Sequence, residues 1–206
     1  VDSGSISLQG GSASSQNGGN IDIRSGESET RASGNVVVTS ATGADAGGSG
    51  ATTIRTGASQ GSSSGQLTLE TGSSQSAGSI VVLAGSSGTG DGANIIVQAG
   101  EAEEGAGGRL ELRSGQALGA GSSGLLSIGS ASSGASSGRT GKVSVSSGDA
   151  TIGDSGDTTV QSGNARGAAG SVVVKAGQSG ESDEAGGNVY ISGGVSESSK
   201  GGTVEV

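Results

Sequence analysis

The segment GNIDIRSG at 19–26 is answered by GNVVVTSA at 34–41, and the same frame returns along the whole chain. The frame is a glycine, then two aliphatic positions separated by one residue, then a small residue and usually a second glycine. It starts at Gly4, Gly19, Gly34, Gly50, Gly65, Gly78, Ala93, Gly108, Gly124, Gly141, Gly156, Gly170, Gly187 and Gly202. Successive starts are 15, 15, 16, 15, 13, 15, 15, 16, 17, 15, 14, 17 and 15 residues apart. An unconstrained chain has no reason to keep such spacing, so the period is what any fold must satisfy first.

Two aliphatic columns run through the frames. One reads Ile6, Ile21, Val36, Thr52, Leu67, Ile80, Ile95, Leu110 and onward to Val204; the other reads Leu8, Ile23, Val38, Ile54, Leu69, Val82, Val97, Leu112 and onward to Val206. Separation by two residues places both on one side of an extended segment, with Asn20, Asp22 and Arg24 on the other. The third member of the apolar side is small: Ser25, Ser40, Thr56, Thr71, Ala84, Ala99, Ser114. After each frame comes glycine, one free residue and then Ser, Ala or Gly, as in GES 26–28, GAS 57–59 and GSS 72–74. A small residue at that fixed offset suggests a second inward position. Length variation, as in GASSGRTG 134–141, falls after it, where loop insertions belong.

One strand per fifteen residues, like stacked on like, predicts an all-β fold: a single-chain β-solenoid (parallel β-helix) of about fourteen coils with a thin, flattened cross-section. At the strand spacing of about 4.8 Å that makes a rod on the order of 65 Å long. Residues 1–206 form one repeat domain in this scheme. Ile23, Val38, Ile54, Leu69, Val82 and Val97 should then stack as a buried ladder. Glu70 with Arg55, and Asp157 with Lys142, should pair across neighbouring coils.

Composition narrows the function. The chain has no Cys and no His, so disulfides, thiolate metal sites and the usual general base are absent. The net charge of −9 argues against nucleic acid. The apolar run IVVLA at 80–84 is far too short to span a bilayer, so no membrane insertion is expected. No GxxxxGK[ST] occurs. The fragment GTGDGAN at 88–94 is an isolated approach to a calcium-roll turn, at the wrong period. The acidic turns EAEE 101–104 and ESDE 181–184 read as solvated corners. Outward carboxylates are dispersed and lack a nucleophile–base partner, so no enzyme activity, cofactor or metal is expected. Val81, Leu83 and Ile96 project from adjacent frames as a candidate lateral docking patch. Ice binding needs a regular outward array, usually of Thr. Here Thr53 and Thr68 stand together and the register is then lost.

The repeating text of GSVVVKAGQSG 170–180 and GNVVVTSATG 34–43 resembles the Gly/Ser-rich short-repeat segments of large surface proteins of algae and other protists. That resemblance implies an extracellular or cell-surface structural role, as a stalk, fibre or matrix filament. An adhesin that engages glycans or other surface components is the neighbouring alternative, and an ice-binding solenoid the more distant one. Both termini fall in register with the repeat. The expectation is a piece of a longer array, or copies that self-associate end to end or laterally.

Overall fold

In a computed structural model of the chain, residues 4–44, 47–134, 138–180 and 183–205 are described. The chain divides into two units, Val1–Val97 and Gln98–Val206. Both are built from the same repeated piece, an arm followed by a bent loop. The arm runs from the frame start to the residue seven positions on, as in 19–26, 93–100 or 187–194. The loop then bends about three residues later, at 14–16, 29–31, 60–62, 88–90, 103–105, 118–121 and 197–199. The sequence beat is therefore a beat of the backbone.

A single recurrent hydrogen bond closes seven of the described loops. The backbone N–H of the frame start donates to the carbonyl of the glycine that ends the preceding arm. The pairs are Gly19 to Gly11 at 2.8 Å, Gly34 to Gly26 at 2.9 Å, Ala93 to Gly85 at 3.3 Å and Gly108 to Gly100 at 2.8 Å. Gly124 to Gly115 at 2.9 Å, Gly187 to Gly177 at 2.9 Å and Gly202 to Gly194 at 2.8 Å complete them. Donor and acceptor are 8 residues apart in most of these, but 9 for Gly124 and 10 for Gly187. Those two follow the frames of 16 and 17 residues, 108–124 and 170–187. The arm thus keeps its length and the loop absorbs the insertion, as the sequence suggested.

The architecture is not the expected β-solenoid. Among the described residues there is no strand and no helix. Among the described residues the backbone bonds close loops or turns, the remaining one being Gly47 to Ala44 at 2.8 Å; they join neighbouring arms only end to start, and none runs as a ladder along two arms. A strand exists only through a partner that exchanges such bonds with it. The arms have the alternation of strands without that partner.

No core forms either. No described residue is buried. The expected ladder is open throughout, from 65% exposure at Val82 to 75% at Leu69. Val206, the last member of its column, lies outside the described residues. The reason is physical. Each arm offers two aliphatic side chains and one small residue, and 46 glycines raise the entropy lost on ordering. With a single Tyr and no Phe, Trp or Met, the arms have too little apolar surface to hold a ladder together. Some differentiation survives: the first aliphatic column is about half covered, as at Val189 (48%), while the second stands freer, as at Val145 (78%).

Candidate functional site

The distinctive local chemistry of this chain is in its loop closures. In several repeats the small residue that ends the apolar side lies against the glycine that starts the next frame. A Cβ built on Gly34 would lie 3.3 Å from Ser25 Cβ, on Gly108 3.4 Å from Ala99 Cβ, on Gly124 3.4 Å from Ser114 Cβ and on Gly187 3.4 Å from Ala176 Cβ. Larger side chains in either column would force the closure open. At Gly10 and Gly193 the small residue is itself glycine, and a Cβ there would come within 2.3 Å and 2.2 Å of the carbonyl oxygens of Gly19 and Gly202. Only glycine fits those two positions.

Two kinds of turn recur in the loops. In five loops the small residue two positions after the loop's first glycine is a serine whose hydroxyl accepts a bond from a backbone N–H further round the bend. Ser28 Oγ accepts from Arg31 at 3.0 Å, Ser59 from Ser62 at 3.2 Å, Ser74 from Ser76 at 3.1 Å, Ser87 from Gly90 at 2.9 Å and Ser196 from Ser199 at 3.0 Å. These are local side-chain turns that satisfy the backbone without a partner strand. Five loops carry alanine there instead, Ala13, Ala102, Ala117, Ala150 and Ala165, and two of these turn on a glycine in the left-handed region, Gly105 at φ 96° and Gly153 at φ 98°. At Ser28, Ser59, Ser74, Ser87 and Ser196 the offset read as a second inward position is thus a bend cap, exposed to solvent.

Charged groups pair along an arm and not between arms. Asp22 accepts from Arg24, with Nε to Oδ1 at 2.9 Å, and Glu111 is held between Arg109 and Arg113. Asn188 Nδ2 donates to Tyr190 Oη at 3.0 Å. Each partnership spans two residues, which places both members on one side of the arm. The expected pairs Glu70–Arg55 and Asp157–Lys142 are not formed; two-residue neighbours are nearer than a residue one unladdered repeat away. Such exposed pairs are worth a few tenths of a kcal/mol at most, about 0.2–1.

The candidate docking residues Val81, Leu83 and Ile96 stand 69%, 84% and 82% exposed. The structure does not set them apart from other outward aliphatics such as Val37 and Val173, which are comparably open. No pocket is found. Among the described residues no cluster of acidic side chains is arranged to hold a metal. Glu181 and Ser182 of the second acidic turn lie outside the described residues, as do Ala135, Ser136 and Ser137 of the 134–141 loop. No helix among the described residues is long and apolar enough to cross a membrane. Comparison with family models, curated proteins and solved structures finds no match to any of them.

Proposed function

We propose that this is a repetitive structural protein of a cell surface or extracellular matrix, and that it works by associating with copies of itself. The observation that carries this reading is the amount of unspent surface. The chain exposes 20695 Å². A compact monomer of its 19.0 kDa mass would expose about 8,400 Å², and a fully extended chain roughly 27,600 Å². The described aliphatic side chains of the two columns stay between 46% (Val204) and 94% (Ile6) exposed, where their burial would be favourable.

The partner best matched to columns that recur every fifteen residues or so is another set of columns with the same recurrence. A second copy of this chain supplies that, end to end or side by side. The lack of His and Cys, and of a pocket among the described residues, also favours a structural role over a catalytic one. The Gly/Ser-rich resemblance is what suggests the surface location.

Sedimentation velocity over a concentration series tests the reading. The average mass should rise with concentration, and Val→Ser changes at Val36, Val38, Val143 and Val145 should weaken that rise. A chain that stays monomeric into the millimolar range would overturn it. Retention on a glycan array by the monomer would favour the adhesin instead.

A further inference from the structure

We propose that Asn17–Gly18 is a site of spontaneous covalent modification, at which the asparagine is converted through a cyclic imide to aspartate and isoaspartate. The chain has six asparagines, at 17, 20, 35, 94, 164 and 188. The residues that follow them are Gly18, Ile21, Val36, Ile95, Ala165 and Val189. The reaction is an attack by the next residue's backbone nitrogen on the side-chain amide carbon. A β-branched neighbour shields that nitrogen and stiffens the backbone, whereas glycine leaves it open and free to turn. Four of the six are blocked in this way and a fifth is followed by Ala165, so Asn17 stands alone.

The structure supplies the remaining requirements. Asn17 and Gly18 are exposed, just past the bend at 14–16. The N–H that closes this loop belongs to Gly19, which donates to Gly11, so the Gly18 nitrogen is not held in that bond. Asn17 contributes no side-chain bond that would anchor its amide. Nucleophile and electrophile therefore lie on adjacent residues of an open loop in contact with water.

The chemistry balances with solvent alone. The Gly18 nitrogen gives up its proton and forms a bond to Asn17 Cγ. The bond from Cγ to Nδ2 breaks, and Nδ2 leaves as ammonia with that proton. Water then opens the five-membered imide at either carbonyl. One opening leaves aspartate at 17; the other leaves isoaspartate, whose backbone runs through the side chain and is longer by a methylene. Either product changes the net charge from −9 to −10 by adding one carboxylate. The added length falls inside a loop type that already closes over 8, 9 or 10 residues. The Gly19–Gly11 bond should therefore survive the change.

The intact chain is incubated at physiological temperature across a series of neutral to mildly alkaline pH values. It is then digested and mapped by mass spectrometry with fragmentation that separates position 17 from position 20. Replacement of the amide by an acid should appear at 17 alone, as two chromatographic products of equal mass, and should quicken with rising pH. Gly18→Val should suppress it over the same interval. Conversion at any other asparagine as fast as at 17 would overturn the proposal. So would survival of Asn17 in the intact chain while a peptide of residues 11–20 converts, because the loop would then protect the amide.

Discussion

Replacing Gly108 by alanine should open the loop that Gly108 closes, while the same change at Gly100 should leave it shut. The two residues are donor and acceptor of one bond, 2.8 Å long, and their surroundings differ. A Cβ on Gly108 would lie 3.1 Å from Gly100 N, 3.3 Å from Gly100 O and 3.4 Å from Ala99 Cβ, whereas a Cβ on Gly100 meets nothing within 4 Å. The atoms crowding position 108 are mainly backbone, so the closure itself must give way. The chain already contains this experiment. Ala93 is the frame start that is not glycine, and its closing bond is 3.3 Å against 2.8–2.9 Å elsewhere. The loss is bounded by one exposed backbone hydrogen bond, about 0.5–1.5 kcal/mol. That is roughly a two- to twelvefold change in opening, since about 1.36 kcal/mol is tenfold. Stiffening of the open chain by the new Cβ acts the other way by about 0.4–1 kcal/mol, and Gly100→Ala carries that effect without the crowding. The assay is solvent exchange of the residue-108 amide proton by NMR, expressed as protection relative to the free peptide. Gly108→Ala should lower protection relative to Gly100→Ala, and Ala93→Gly should raise it at residue 93. Equal protection of residue 108 in both alanine variants would refute the argument that the frame glycines are selected by close approach.

Ser87→Ala removes the acceptor for the Gly90 N–H and should increase the temperature dependence of that amide's shift, at a cost near the low end of about 0.5–1.5 kcal/mol. Ser86→Ala, one residue earlier, should leave it unchanged. Val82→Asp should cost the monomer under about 0.5 kcal/mol, because Val82 is mostly in solvent; a large loss of residual structure on circular dichroism would restore the buried ladder. No thermal-hysteresis gap should appear when the chain is frozen at micromolar concentration, since Asp22, Val37, Thr53, Thr68 and Val81 make no regular outward array.

The repeat was legible in the sequence because it is written in backbone requirements as much as in side chains. Gly19, Gly34, Gly108, Gly124, Gly187 and Gly202 are glycine where another backbone approaches, and they mark the donors of the closing bond. The position of insertions was legible for the same reason. Where the inference failed, it passed from alternation to association. Ile21 and Ile23 share a side, and so do Arg24 and Asp22, but alternation within an arm says nothing about whether a second arm lies alongside it. That depends on a balance between apolar burial and chain entropy. Here the glycines that make the loops close also make ordering costly. The serine offset misled in a related way. A small residue at a fixed position fits an inward packing site and a hydroxyl cap equally well, and only the bond from Arg31 to Ser28 or from Gly90 to Ser87 separates them.

The closures also bear on what self-association has to achieve. The open loops are informative. The segments from Gly72 to Gly78 and from Gly163 to Gly170 span 6 and 7 residues, shorter than any that close. Ala41 and Ala131 stand where the closed loops have an accepting glycine. Nothing in the structure explains why Gly65 and Gly156, at the ordinary separation, make no such bond. Closed loops fix the spacing of their neighbouring arms, and open ones leave it adjustable. A second copy meeting these columns therefore encounters stretches of set spacing, such as 100–124, broken by stretches that can adapt. Association should begin on the set stretches, because less entropy is lost there when the columns meet. A peptide of residues 100–124, with two consecutive closures, should accordingly retard assembly of the whole chain more than a peptide of equal length covering 141–165, where no closing bond is described. Assembly kinetics by light scattering, with each peptide in excess, decide the matter: equal retardation by the two would show that the closures play no part in how copies meet.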